Sequence, residues 1–183
     1  FIVIAFKLIP KEIFSIPKFG TINLHASLLP RYRGAAPIQK AIINGDGETG
    51  LSTFFINDKI DMGKIIHQKK VKISKSDTFY DLWKKLSKRG PAVLKKTLEL
   101  IVKNEVDILN HEHIEPSYAP KIKKSDLLIN WNTDIALKIH NKIRAFSPSP
   151  CMYTFFGKMR IKILKSKVMD ENSKKNYPPG YIL

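Results

Sequence analysis

The sequence predicts an α/β layer with a largely parallel sheet, followed by a small, basic, β-rich module. Three observations predict it. Phe1–Phe6 is apolar on both faces, as a buried parallel strand is. Strand-like runs then alternate with stretches of helical period. Beyond a polar, proline-containing stretch the period changes to two around Gly157, amid an excess of lysine.

The elements follow in order. After the first strand, Thr21–Ala26 reads as a second, preceded by Gly20. Ser27–Gly34 is irregular, punctuated by Pro30 and Gly34. Ala36–Asn44 fits a helix with Pro37 in its first turn and Gly45 just past its end. Leu51–Asn57 is a third strand and Ile65–Ile73 a fourth. Phe79, Leu82, Trp83 and Leu86 form one helix face, with Ser76 and Asp77 as start signals. Gly90-Pro91 separates it from a second stripe, Leu94, Leu98, Ile101 and Val102, where Pro91 marks a new first turn or a kink. Asn110–Lys124 reads as a linker. Leu127–Trp131 then predicts a short strand, and Ile135, Ile139, Ile143 and Phe146 a helix face capped by Asn132 or Thr133. Ser147-Pro148-Ser149-Pro150 ends that helix. Met152–Phe156 and Met159–Leu164 predict a hairpin, and Tyr181-Ile182-Leu183 the start of another strand.

The bulk numbers exclude several classes. The chain has 183 residues, 43% of them hydrophobic, enough for one core or a core plus a small second domain. No apolar run approaches the ~20 residues of a membrane-spanning helix. Phe1–Phe6 lacks the features of a secretory leader. The chain opens with Phe inside a strand, so residues upstream of Phe1 are expected. One cysteine, Cys151, fits a reducing compartment. The formal charge is +16, and residues 116–183 carry 13 basic against 4 acidic side chains. That imbalance fits phosphate contact or a merely lysine-rich composition about equally well.

Asn23 and His25, two apart on a strand, share a face, whereas Ile22, Leu24 and Ala26 share the other. Polar groups at the C-terminal end of a strand occupy the usual ligand crevice of an open α/β sheet. In the loop that follows, Leu28 and Leu29 either pack on the sheet or border a pocket, and Arg31 and Arg33 can pair with carboxylates or phosphates. Asp61 lies in the loop after the third strand, at the His25 edge if the strands are parallel, and Asp58 competes with it. Ser27 lacks an evident base and oxyanion donors. His111-Glu112-His113 lacks a third ligand at metal spacing.

The run Asn23-Leu24-His25-Ala26-Ser27-Leu28-Leu29-Pro30-Arg31-Tyr32-Arg33-Gly34-Ala35-Ala36-Pro37-Ile38-Gln39 closely resembles the signature of the methionyl-tRNA formyltransferases. Its Asn-x-His, Ser-Leu-Leu-Pro core is shared with other 10-formyltetrahydrofolate-dependent formyltransferases and hydrolases. Ile60-Asp61-Met62-Gly63 resembles the family's aspartate loop, which favours Asp61 over Asp58. Tyr118-Ala119-Pro120-Lys121-Ile122, Ile129-Asn130-Trp131 and Ile143-Arg144-Ala145-Phe146-Ser147-Pro148 resemble its linker and the start of its C-terminal barrel. Lys7, Met62, Lys64 and Cys151 depart from the family pattern, Lys7 close to where a folate is expected.

The resemblance implies part of a Rossmann-like catalytic domain over residues 1–117 and part of an OB-like barrel over 118–183. It implies formyl transfer from 10-formyltetrahydrofolate to the α-amine of initiator methionyl-tRNA, with Asn23, His25 and Asp61 catalytic and no metal. It further implies Ser27, Leu28, Leu29 and Pro30 at the folate, and Arg31, Arg33, Arg144, Lys162 and Lys165 toward tRNA. A monomer in the bacterial cytoplasm or an organellar matrix, with no membrane contact, is the corresponding expectation. An amino-sugar formyltransferase, a folate-using hydrolase and a non-enzymatic RNA-binding module are the rival readings.

Overall fold

The computed structural model describes residues 1–4, 8–107, 115–169, 178, 179 and 181. Lys7, His111-Glu112-His113 and all but Tyr181 of the expected final strand lie outside them.

Among the described residues, four strands form one sheet in the order β1 (Ile2–Val3), β2 (Ile22–His25), β3 (Glu48–Phe55), β4 (Ile65–Lys72). Helix α1 (Lys11–Phe14) joins the first two strands, and α2 (Pro37–Ile43) lies between β2 and β3. The sheet is not largely parallel. Only β1 and β2 are parallel; β2–β3 and β3–β4 are antiparallel. Parallel neighbours need a crossover of a dozen or more residues, usually a helix lying on the sheet. The β3–β4 connection is too short and has no helix, and α2 packs chiefly on a later helix rather than on the sheet. Nor is the first strand buried. Among the described residues it is a two-residue strand at the end of the sheet order, with Ile2 46% and Ile4 60% exposed.

Helix α3 (Phe79–Val102) runs unbroken through Pro91, where two helices or a kink were expected. Its inward stripe, Leu82, Leu86, Gly90, Val93 and Thr97, continues past the proline, so packing on the sheet holds a single helix despite one lost backbone bond. It meets Leu24, Leu51, Val71 and Ile73 in the main core, and Thr97 Oγ1 lies 2.7 Å from Thr53 Oγ1. The expected second stripe faces outward instead: Leu98 and Val102 are exposed. The N-cap is Thr78, in a capping box with Asp81, rather than Ser76 or Asp77. Asp77 instead accepts hydrogen bonds from Ser74 N and Lys85 Nζ.

The C-terminal part begins with a 3₁₀ turn at Lys124–Leu127. The strand expected at Leu127–Trp131 is reduced to one bridge between Leu128 and Tyr153, though Leu127 and Ile129 are buried. Helix α4 (Ala136–Ala145) has Ile135 at its N-cap and no side-chain cap. Asn130 Oδ1 takes the N–H groups of Asn132 and Thr133, the two expected caps. Strands β5 (Met152–Phe156) and β6 (Met159–Ile163) form the predicted antiparallel hairpin. Ile139, Ile143, Phe146 and Met152 close a second core with Leu127 and Ile129.

Arg144 ties the two parts together. Its guanidinium donates to the carbonyl oxygens of Ile42 (3.4 Å) and Asp77 (3.0 Å) and to Asn141 Oδ1 (3.0 Å).

Candidate active site

Period-two geometry does what the sequence predicts on β2. Leu24 turns into the α3 core, and Asn23 and His25 turn to the opposite face. In the antiparallel register Asn23 faces Phe54 and His25 faces Ser52, so those four side chains share one surface.

The loop after β2 is braced from that surface. Ser52 Oγ accepts from Leu29 N (3.0 Å) and donates to Ser27 O (2.7 Å). Gln68 Nε2 donates to Leu29 O and to Ser52 Oγ. Ser27 Oγ donates to Arg31 O at 2.6 Å. Leu29 packs with Phe54 and Ile65, and Leu28 rests on Gly50. Ser27, Leu29 and Pro30 are therefore buried and shape the loop, and Leu28 alone of the four residues expected at the folate is partly open.

Tyr32 is the pivot of the loop. Its backbone is left-handed, with φ +60°. Its phenol donates to Asp46 Oδ2 (2.7 Å) and accepts from Arg31 and Asn44. Burial, then the hydrogen bond to Asp46, push that phenol above its ordinary value. Its carbonyl lies 2.8 Å from His25 Nε2. A carbonyl only accepts, so Nε2 is the donor in this contact.

Asp61 reaches the site by a different route from the one expected. β3 is antiparallel to β2, so the chain leaves β3 where β2 begins, at the end away from the Ser27 loop. It then folds back across the polar face. Asp61 has φ +52°. Gly63 lies so close to Phe55 that a Cβ would stand 1.6 Å from its carbonyl oxygen, and Phe55 N donates to Lys64 O. Asp61 Oδ2 ends 3.7 Å from His25 Nδ1 and accepts from Gly34 N at 2.7 Å. Asp58 is exposed. Asn23 and Asp61 then border a small groove with Val3, Phe54, Ile56 and Ile60. Asn57 and Lys59 line it as well, so its wall is of mixed polarity.

The cationic candidates fare unevenly. Arg31 is paired with Asp46 at 2.9 Å. Arg33 is half-buried, with its Nε unpartnered. Lys162 and Lys165 are exposed. Arg144 is buried within the inter-element clamp, not at the surface where a phosphate would meet it. Sequence reasoning missed Tyr32, Ser52 and Ser117 as supports of the site. Tyr32 acts through its carbonyl, Ser117 through a hydroxyl brought up from 85 residues away, and Ser52 through strand register; none of these leaves a periodic signal.

An Asn–His pair at a strand end, a carboxylate beside it and a small adjoining groove are thus brought together on one face of an α/β sheet. Residues 1–98 match the formyl transferase family and residues 121–183 the formyl transferase C-terminal domain, and the chain belongs to this family. It is 44% identical over 183 residues to the methionyl-tRNA formyltransferase of Thermodesulfovibrio yellowstonii, covering all of this chain and 58% of that one. It spans little more than half the length of the curated relatives it matches. Among solved structures it resembles WlaRD, a sugar 3N-formyl transferase crystallised with dTDP and 5-N-formyl-THF. The TM-score is 0.66 at 31% identity, over 79% of this chain and 53% of that one. The methionyl-tRNA formyltransferase of Clostridium thermocellum shares the fold, with a TM-score of 0.68 at 21% identity, covering 92% of this chain and 72% of that one.

Proposed function

We propose that this chain carries the catalytic centre of an enzyme that moves a formyl group from 10-formyltetrahydrofolate to the α-amine of initiator methionyl-tRNA, for translation initiation. The observation that carries the reading is the Asn23–His25–Asp61 arrangement beside a small groove. The 44% identity to a methionyl-tRNA formyltransferase, extending across both parts of the chain, supports the acceptor.

The amine attacks the formyl carbon, forming a C–N bond and placing negative charge on the formyl oxygen. Asn23 donates a hydrogen bond to that oxygen, a contribution of ~3 kcal/mol to the barrier for a preorganised donor. His25 takes the amine proton on Nδ1 and returns it to N10 as the C–N10 bond breaks. Asp61, held by the Gly34 amide, balances the positive charge His25 carries meanwhile. The folate ring lies in the groove lined by Val3, Phe54 and Ile56, and exposed Lys162 and Lys165 meet tRNA phosphates. The enzyme acts as a monomer, in the bacterial cytoplasm or an organellar matrix.

The likeness to WlaRD favours a second reading, transfer to an amino-sugar nucleotide. Supplying the full-length protein with 10-formyltetrahydrofolate and either acceptor separates the two. Formyl-methionyl-tRNA is the expected product. Formylation of the amino sugar alone, or formate release without an acceptor, contradicts the proposal.

A further inference from the structure

The segment before the C-terminal part does more than connect. Ser117 N donates to Pro30 O at 3.3 Å, and Ser117 O accepts from Arg33 N at 2.9 Å. Ala119 N donates to Arg33 O (2.7 Å) and Ala119 O accepts from Ala36 N (3.0 Å). Arg33 and Tyr118 thus form a parallel bridge across 85 residues of chain. Gly34 faces Ala119 so closely that a Cβ would stand 2.8 Å from its carbonyl oxygen. One contact in this strip is made by a side chain: Ser117 Oγ accepts the N–H of Tyr32 at 2.9 Å.

Tyr32 is the residue whose carbonyl engages His25 Nε2. Its N–H and C=O belong to neighbouring peptide planes, so fixing the first at φ +60° helps set the direction of the second. A buried N–H left without an acceptor has its own reason to turn away.

We propose that Ser117 is a positioning residue for His25, acting through Tyr32: its hydroxyl holds the Tyr32 amide so that the adjoining carbonyl fixes the tautomer and ring orientation of His25. The residue that orients the reactive imidazole therefore lies in the segment leading to the C-terminal part, far from the Asn-x-His signature in sequence. The kinetic arm of the test rests on the formyl-transfer reading; the spectroscopic arm does not.

The test compares full-length wild type with Ser117→Ala and Ser117→Thr. Ring nitrogen shifts report the His25 tautomer, assigned by their loss in a His25→Gln variant. Ser117→Ala is expected to lose the fixed Nε2–H tautomer and to lower kcat roughly ten-fold with KM for the folate unchanged, as slight misplacement of a reacting group does. Ser117→Thr, which keeps the hydroxyl, restores both. A Ser117→Ala protein with wild-type tautomer and kcat overturns the proposal. So does a kcat loss with the tautomer unchanged, or equal impairment in the threonine variant. Should Ser117→Ala not fold, Ser117→Thr against its near-isostere Ser117→Val gives the same comparison. A wild type that transfers no formyl group defeats the functional reading alone, and the nitrogen shifts still decide the role of Ser117.

Discussion

At the residue scale, the candidate site is two side chains from one strand and one from a loop beside them. That Asn23 and His25 share a face was legible because a strand sends residues two apart to the same side. That Asp61, rather than Asp58, lies beside His25 was legible only through the family resemblance. Parallel strands would place it at the His25 edge directly, and those strands are antiparallel. It reaches His25 because the loop reverses at Gly63, a close approach that no period in the sequence announces. The choice between the two loop aspartates is open to experiment. Asp61→Asn in the full-length protein is expected to lower kcat by about 100-fold, the range of general acid–base assistance. Asp58→Asn, at an exposed position, is expected to stay near wild type. Steady-state rates of the two variants check this, and equal loss in both removes Asp61 from its role.

At the scale of elements, the helices and hairpin could be read from sequence more faithfully than strand direction. Strand direction depends on what each connection covers, which apolar period does not encode. Helix α3 shows the related limit. Gly90-Pro91 reads locally as a break, yet the buried stripe on either side is continuous and tertiary packing overrides the break. Its cap carries a prediction. Thr78 accepts from Asp81 N, and Asp81 accepts from Thr78 N. Thr78→Ala is expected to cost ~1 kcal/mol in chemical denaturation. The Thr78 side-chain hydrogen bond, then its backbone hydrogen bond, hold the Asp81 carboxyl below the usual carboxylate range. A depressed carboxyl stabilises the fold above its unfolded value, and that stability is lost as pH falls through the lower folded value. The difference between wild type and Thr78→Ala should therefore shrink in acid, below about pH 4. Unfolding midpoints across that range measure it.

At the scale of the whole molecule, the C-terminal part is fastened rather than loosely tethered. Arg144 spends its donors on carbonyls of α2 and of the turn before α3, and the strip around Ser117 and Ala119 pairs with the loop of the site. The same sequence motif that suggested an RNA contact at Arg144 marks an internal clamp, because composition gives charge but not burial. Arg144→Ala is expected to destabilise the protein by about 2–3 kcal/mol, the scale for hydrogen bonds to a charged group. A calorimetric unfolding curve unchanged from wild type would speak against the clamp. Under the proposed function, RNA contact falls to exposed lysines. Lys162→Glu with Lys165→Glu is expected to weaken tRNA binding and flatten its salt dependence without altering folate affinity, as titrations at two ionic strengths would record.

The most direct test of the central claim is single-turnover transfer from 10-formyltetrahydrofolate to methionyl-tRNA by full-length wild type, Asn23→Ala and His25→Ala. The account predicts rapid formylation by the wild type and a fall of ~100-fold or more in each variant, with unfolding midpoints unchanged. Near-wild-type rates in either variant would contradict it.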